Sequence, residues 1–153
     1  MSVRKDERNE SAIEYLMKAD TLYHEVIVVM AKFTSAYRDL IGKDITTTGM
    51  KLLSHCEAVH VLVSENNHTN KEQIQSELRK AKISLNTLNI QMRHCYEILI
   101  SDFYNAYEDL KDENDLKKLA RKAKKRLNKM GEQIGLLISE ETCLLNNMIE
   151  KYK

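Results

Sequence analysis

The side chains in this sequence that could do chemistry are histidines, cysteines and a dense run of lysines and arginines. Cys56 and His60 lie four residues apart, so on a helix they would share one face and could bind a metal ion with His55 and Cys95. No close-spaced cysteine pair supports such a site. Cys56 and Cys95 also fall in apolar stripes, where a free cysteine behaves as a small apolar residue. We therefore expect no metal, and a metal-dependent bundle enzyme is the less favoured alternative.

Motifs for other enzymatic chemistry are incomplete. A di-iron bundle needs a Glu-x-x-His element on each of two helices. Glu57-Ala-Val-His60 lies inside a predicted helix, whereas Glu65-Asn-Asn-His68 has the spacing but falls in a polar turn. The chain also lacks a glycine-rich phosphate loop and a serine or cysteine nucleophile motif. We expect no enzymatic activity and no cofactor.

The basic residues are concentrated in one stretch, although the formal net charge is only +1. The charged residues from Glu97 to Asp115 are almost all acidic, and the sign of the charge then reverses. The basic face, as we call it, consists of Lys117, Lys118, Arg121, Lys122, Lys124, Lys125 and Arg126. A smaller cluster near the amino end contains Arg4, Lys5 and Arg8. Such a helix could neutralise phosphates without reading bases; the alternative is a solvated face, paired with the acidic stretch.

The elements that carry these residues are all predicted to be helices. Proline is absent and there are 4 glycines, so strand and turn signals are nearly missing. Ser11-Ala-Ile-Glu14 has the spacing of a capping box and predicts that the first helix begins at Ser11. Its predicted apolar stripe is Ile13, Leu16, Met17, Tyr23, Val26, Ile27, Met30 and Phe33.

Three further long helices follow. A short helix from Ala36 to Ile41 is predicted to end at Gly42, and Thr46 to Thr48 are predicted caps of the second long helix. That helix carries Met50, Leu53, Cys56, Val59, Leu62 and Val63. The polar turn from Glu65 to Asn70 precedes the third helix, whose stripe is Ile74, Leu78, Ala81, Leu85, Leu88, Met92, Cys95, Leu99 and Phe103. The fourth helix has Leu116, Leu119, Ala123, Leu127, Met130, Ile134, Leu137, Leu144, Met148 and Tyr152.

These patterns predict an all-α protein. We expect an antiparallel up-down-up-down four-helix bundle, with a short extra helix between the first and second helices. Residues 1–10 form a basic amino-terminal arm, and residues 11–153 form the single domain.

The apolar surface of the fourth helix is wider than one stripe, because it also includes Leu136, Ile138, Leu145 and Ile149. Glu141 falls within it, and a buried carboxylate is costly unless it is paired. We favour a subunit interface for this surface, and we therefore expect a homo-oligomer.

We expect a soluble, cytoplasmic protein with no membrane contact. The first residues are charged and lack the apolar core of a secretory signal. The longest apolar run, Val26 to Ala31, is too short to cross a bilayer. Three cysteines in such a chain suggest reduced thiols.

The opening of the chain carries a family resemblance. Met1-Ser-Val-Arg-Lys-Asp-Glu-Arg8, followed by Glu10-Ser11, Glu14, Leu16, Lys18-Ala19 and Leu22, resembles the start of small bacterial four-helix-bundle proteins. That family contains the accessory variability proteins of diversity-generating retroelements and the proteins encoded in 23S ribosomal RNA intervening sequences. The resemblance implies a pentameric ring that binds a reverse transcriptase and its template RNA through basic surfaces. By charge and position, these surfaces would be the basic face and the Arg4 cluster.

The leading hypothesis is therefore a non-enzymatic, oligomeric accessory subunit of a mobile-element reverse transcriptase that contacts RNA. The alternative is a protein-interaction module of phage or plasmid origin that binds no nucleic acid. Its docking face would lie around Tyr104, Tyr107 and Glu108.

Overall fold

Four long helices make up most of the described chain. A computed structural model describes the backbone of residues 12–65, 70–108 and 114–153, and the side chains of 12–65, 70–101, 117–118 and 121–153. The helices are α1 (Glu14–Met30), α2 (Lys43–Ser64), α3 (Lys71–Glu108) and α4 (Asn114–Lys151). No strand occurs within these ranges, and the predicted all-α class is confirmed. The predicted cap Ser11 lies outside them.

Each helix packs against the next one in the chain, and α1 closes the ring against α4. The contacts between α3 and α4 show the antiparallel arrangement. Gln75, near the start of α3, donates a 2.6 Å hydrogen bond to the carbonyl of Ile149, near the end of α4. Farther along α3, the ring of Tyr96 packs beside Gly131. The predicted up-down-up-down four-helix bundle is confirmed.

The apolar seam of α3 lies in the core as predicted. Its buried members are Ile74, Leu78, Ala81, Leu85, Leu88, Met92 and Cys95. Their steps of three and four residues keep one side of the helix facing its neighbours along most of its length.

The core faces of α1 and α2 match the predicted ones only in part: Val26 and Met30 on α1, and Cys56 and Val59 on α2, are buried as predicted. The large apolar residues Met17, Ile27 and Met50 were expected inside, but each is more than two-fifths exposed. On α1 the buried residues are Tyr15, Ala19, Leu22, Val26, Val29 and Met30, and on α2 they include Ile45, Leu52, Cys56 and Val59. The run of valines and isoleucine near the end of α1 places apolar side chains on both faces, so periodicity alone could not select the buried one.

The connection between α1 and α2 is helical, but it is built differently from the prediction. A short α-helical piece, Ser35–Tyr37, leads into a π-helical segment, Arg38–Gly42, and the chain then continues directly into α2. Gly42 has helical backbone angles (φ −63°, ψ −37°), so the predicted helix end at this residue is wrong.

The predicted threonine caps are also wrong, because the threonines lie inside α2. The Thr47 hydroxyl donates to the carbonyl of Lys43 at 2.8 Å, and the Thr48 hydroxyl donates to that of Asp44 at 3.0 Å. A bond to the carbonyl four residues earlier lets a threonine sit within a helix without an unpaired hydroxyl.

The four helices differ greatly in length. The two longest, α3 and α4, have 38 residues each, against 17 in α1 and 22 in α2. At a rise of about 1.5 Å per residue, this is roughly 57 Å against 26 and 33 Å. Tyr37, in the α1–α2 connection, lies in a surface hollow with Ile98 and Ser101 of α3. The end of α3 and the start of α4 therefore extend past α1 and α2.

Within the residues that the structure describes, no helix has an apolar stretch long enough to cross a membrane.

Truncation of one α3 seam residue should show how much the core depends on it. We expect Leu85→Ala to lower the free energy of unfolding by about 2 to 5 kcal/mol, because Leu85 is fully buried and leaves a cavity. Ile83→Ala, on the exposed side of the same helix, should change it by less than about 0.5 kcal/mol. Urea denaturation followed by circular dichroism measures both. Equal effects would contradict this assignment of the core.

Candidate nucleic-acid interface

The basic face lies on the solvent side of the first half of α4. Six of its members are exposed: Lys117, Lys118, Arg121, Lys122, Lys125 and Arg126. Lys124 is half-buried and has an interaction partner. The cluster of Arg4, Lys5 and Arg8 lies outside the described residues.

The sequence of α4 separates charge from apolar surface by helical geometry. Leu127 and Ile134, seven residues apart, are buried against the bundle, and Met130 between them is partly buried. The lysines and arginines that precede them on the other side of the helix must then point outward. No acidic residue occurs between Asp115 and Glu132, so the exposed surface has a single sign of charge. The face from Lys117 to Arg126 is roughly 14 Å long at the helical rise.

No ion pair between described side chains neutralises the exposed part of this face. Among the described side chains, the ion pairs between helices are Lys18 with Glu140 and His55 with Glu77. None of the six exposed basic residues pairs with a described acidic residue. Most of the acidic stretch from Glu97 to Asp115, and the side chains of Tyr104, Tyr107 and Glu108, lie outside the described ones.

Two of the four residues considered as metal ligands, His55 and Cys56, have other partners. His55 Nδ1 lies 2.6 Å from a carboxylate oxygen of Glu77, and Cys56 contacts Glu141. Cys95 is buried in the α3 seam, where burial raises the pKa of its thiol to about 11. In the described ranges, no three His, Cys, Asp or Glu side chains are grouped to hold a metal ion.

A polar cluster of Glu141, Cys56 and Tyr15 lies inside the core near one end of the bundle. The Glu141 side chain has no solvent exposure. The Cys56 thiol donates to Glu141 Oε1, with a sulfur–oxygen distance of 3.7 Å. Glu141 Oε2 has no hydrogen-bond partner in the described part of the chain.

The cluster is uncharged at neutral pH. Burial raises the pKa of Glu141 to about 8, and the nearby Cys56 thiol and Lys18 ammonium offset this rise only in part. Burial likewise raises the pKa of the Cys56 thiol and of the Tyr15 hydroxyl. A thiol with a raised pKa is a poor nucleophile, so the pair of Cys56 and Glu141 is not arranged for covalent catalysis.

Most of the wide apolar face of α4, which includes Glu141, packs against other helices of the same chain. Ile138 and Leu145 are also buried, Ile149 is partly buried, and Leu136 is the largely exposed member of the set. The neighbouring helices of the same chain cover this face except at Leu136, so most of its width does not require a second subunit. The homo-oligomer stays a prediction that this face does not support.

A surface groove between α3 and α4 was not foreseen from the sequence. It has a volume of about 430 Å³, and its walls include Asn89, Arg93 and Tyr96 of α3 and Asn128, Gly131 and Gly135 of α4. The Tyr96 hydroxyl is buried and has no hydrogen-bond partner among the side chains described. Burial raises the pKa of Tyr96 to about 12, so the hydroxyl keeps its proton. In the sequence, the feature that could have indicated this groove is the pair of glycines four residues apart in a predicted helix.

No family model, curated protein or solved structure matches this chain. The family resemblance carried by Met1 to Leu22 therefore stays a prediction.

The buried carboxyl should make stability depend on pH. The pKa of Glu141 rises from an ordinary value of 4.5 to about 8 on folding, so the folded chain binds the extra proton between these values. Stability is then full below this window and falls as pH rises through it, by up to about 1.4 kcal/mol per pH unit. The glutamine in Glu141→Gln is uncharged at every pH, so the stability of this variant should fall much less as pH rises. Above pH 8 the variant should be more stable than the parent protein.

Urea denaturation at several pH values from about 5 to 9 measures the effect. The matched control is Glu140→Gln, because Glu140 is partly exposed and pairs with Lys18. This control should keep the pH dependence of the parent protein. If the stability of Glu141→Gln falls as steeply with pH as that of the parent, Glu141 is not the titrating group.

Proposed function

We propose that this protein is a non-enzymatic RNA-binding bundle that serves as an accessory subunit of a mobile-element reverse transcriptase. The observation that carries the RNA part is the basic face. Six exposed cations lie within ten residues of one helix, and none is paired with a described acidic residue.

Phosphate binding follows from this arrangement by electrostatics. Each phosphate that a lysine or arginine neutralises releases condensed counterions, so binding is strong at low salt and insensitive to base sequence. The start of α4, where the basic face begins, also extends beyond α1 and α2. A nucleic-acid backbone can therefore approach the basic face without meeting those two helices.

The polymerase partner and the oligomer rest on the resemblance of residues 1–22. By that resemblance, the bundle forms a ring of five subunits that holds the reverse transcriptase and its template RNA in the cytoplasm. Arg4, Lys5 and Arg8 would add to the RNA surface. Size-exclusion chromatography with light scattering, with and without a structured RNA, tests the ring. A monomer that does not bind RNA would favour the alternative, a protein-interaction module.

Charge reversal of the basic face should weaken RNA binding and its dependence on salt. We expect Arg121, Lys122, Lys124 and Lys125, all changed to Glu, to lower affinity roughly ten- to hundredfold at low salt. The slope of log affinity against log salt should fall by about 0.7 for each phosphate that the variant no longer neutralises. Fluorescence anisotropy with a labelled RNA, at several salt concentrations, measures both quantities.

A variant with the same net charge separates the basic face from a general charge effect. In this control Lys32, Lys43, Lys51 and Lys71, all exposed and outside the face, are changed to Glu. The control should retain most of the affinity and most of the salt slope. Equal reductions in the two variants, or no RNA binding by the unmodified protein, would contradict the proposed function.

A further inference from the structure

The basic face is continuous with the groove between α3 and α4. Lys117, Arg121, Lys124, Asn128, Gly131 and Gly135 follow one another at alternating steps of four and three residues, so they form a single row along α4. The last three of them line the groove. Along this row, long basic side chains are therefore followed by the short side chain of Asn128 and by two glycines, and the groove begins at Asn128.

Two glycines of α4, Gly131 and Gly135, form part of the groove wall and leave room for it. A Cβ atom on Gly131 would lie 3.7 Å from the Tyr96 ring, and one on Gly135 would have no atom within 4 Å. Both glycines lie in the middle of α4, where glycine weakens a helix relative to alanine, and packing does not demand the one at 135. Gly135 leaves open space at the surface of α4.

The walls combine apolar side chains and the carboxylates of Glu97 and Glu132 with groups that can hold a planar, polar ring. Tyr96 supplies an aromatic ring and a buried hydroxyl that has no described partner, and Asn89 and Asn128 supply amide groups. Arg93 adds a guanidinium, which can stack on a base or bind a phosphate. The volume of about 430 Å³ is within the range of small-ligand sites. Proteins recognise single-stranded RNA by stacking unpaired bases on such side chains and hydrogen-bonding their edges.

We infer that the groove between α3 and α4 holds an unpaired base of an RNA strand whose phosphates lie along the row from Lys117 to Lys124. This rests on the proposed function and narrows it, because it makes single-stranded RNA the preferred ligand over duplex RNA. A duplex can contact the cations but cannot place a paired base in the groove.

The test fills the groove without disturbing the core. In Gly135→Leu the new side chain enters open space, and leucine is a better helix former than glycine, so the variant should fold at least as well as the parent protein. Gln133→Leu is the matched control, since Gln133 is exposed on the same helix and does not line the groove. The ligands are a short labelled oligouridylate and a blunt RNA duplex of the same length, compared by fluorescence anisotropy at low salt.

We expect Gly135→Leu to weaken oligouridylate binding about tenfold and to leave duplex binding within about twofold. Gln133→Leu should change neither. With an RNA strand that carries one 2-aminopurine, the unmodified protein should change the fluorescence of that base, and Gly135→Leu should abolish the change.

The outcomes separate this inference from the proposed function. Suppose that the unmodified protein binds RNA and that Gly135→Leu binds the strand and the duplex with the same affinities as the unmodified protein. The groove is then not a base site, and the basic face alone carries the binding. Equal weakening for strand and duplex would overturn the inference in the same way. If the unmodified protein binds neither ligand, the proposed function fails as well.

Discussion

The apolar seam of α3 is the surface on which the other helices are assembled, and the two longest helices pair along it. Because α1 and α2 are much shorter, they cover only one part of the α3–α4 pair. The rest of the pair is able to carry charge, since a helix with only one neighbour needs a narrower apolar face. Differences in helix length thus separate a four-helix core from a two-helix region with a basic surface.

A buried carboxyl near one end of the bundle works against stability, and its neighbours reduce the penalty without removing it. Glu141 retains a proton and receives one weak hydrogen bond from the Cys56 thiol, yet one of its oxygens has no described partner. A leucine at this position would fit the apolar pattern of α4 better. The buried carboxyl therefore lowers the stability of the bundle relative to an apolar side chain of the same size.

Sequence periodicity predicted the parts of the structure in which one side of a helix is clearly apolar. The α3 seam and the outward direction of the basic face both belong to this class. Prediction was right only in part for α1, where valine and isoleucine occupy both faces. It was wrong at Gly42 and at Thr46 to Thr48, whose residue types also occur inside helices. It could not find the groove, because Gly131 lies beside Tyr96 only in the folded chain, and that pairing is set by the register of two helices distant in sequence.

The π-helical segment Arg38–Gly42 sets the rotational phase of α2. A π turn accommodates one residue more than an α turn does, and one residue corresponds to about 100° of rotation about the helix axis. A straight α-helix through the same sequence would turn every later side chain of α2 by that angle relative to the connection. Cys56 would then no longer face Glu141. A single extra residue at the edge of the bundle thereby determines which thiol meets the buried carboxyl about four turns away.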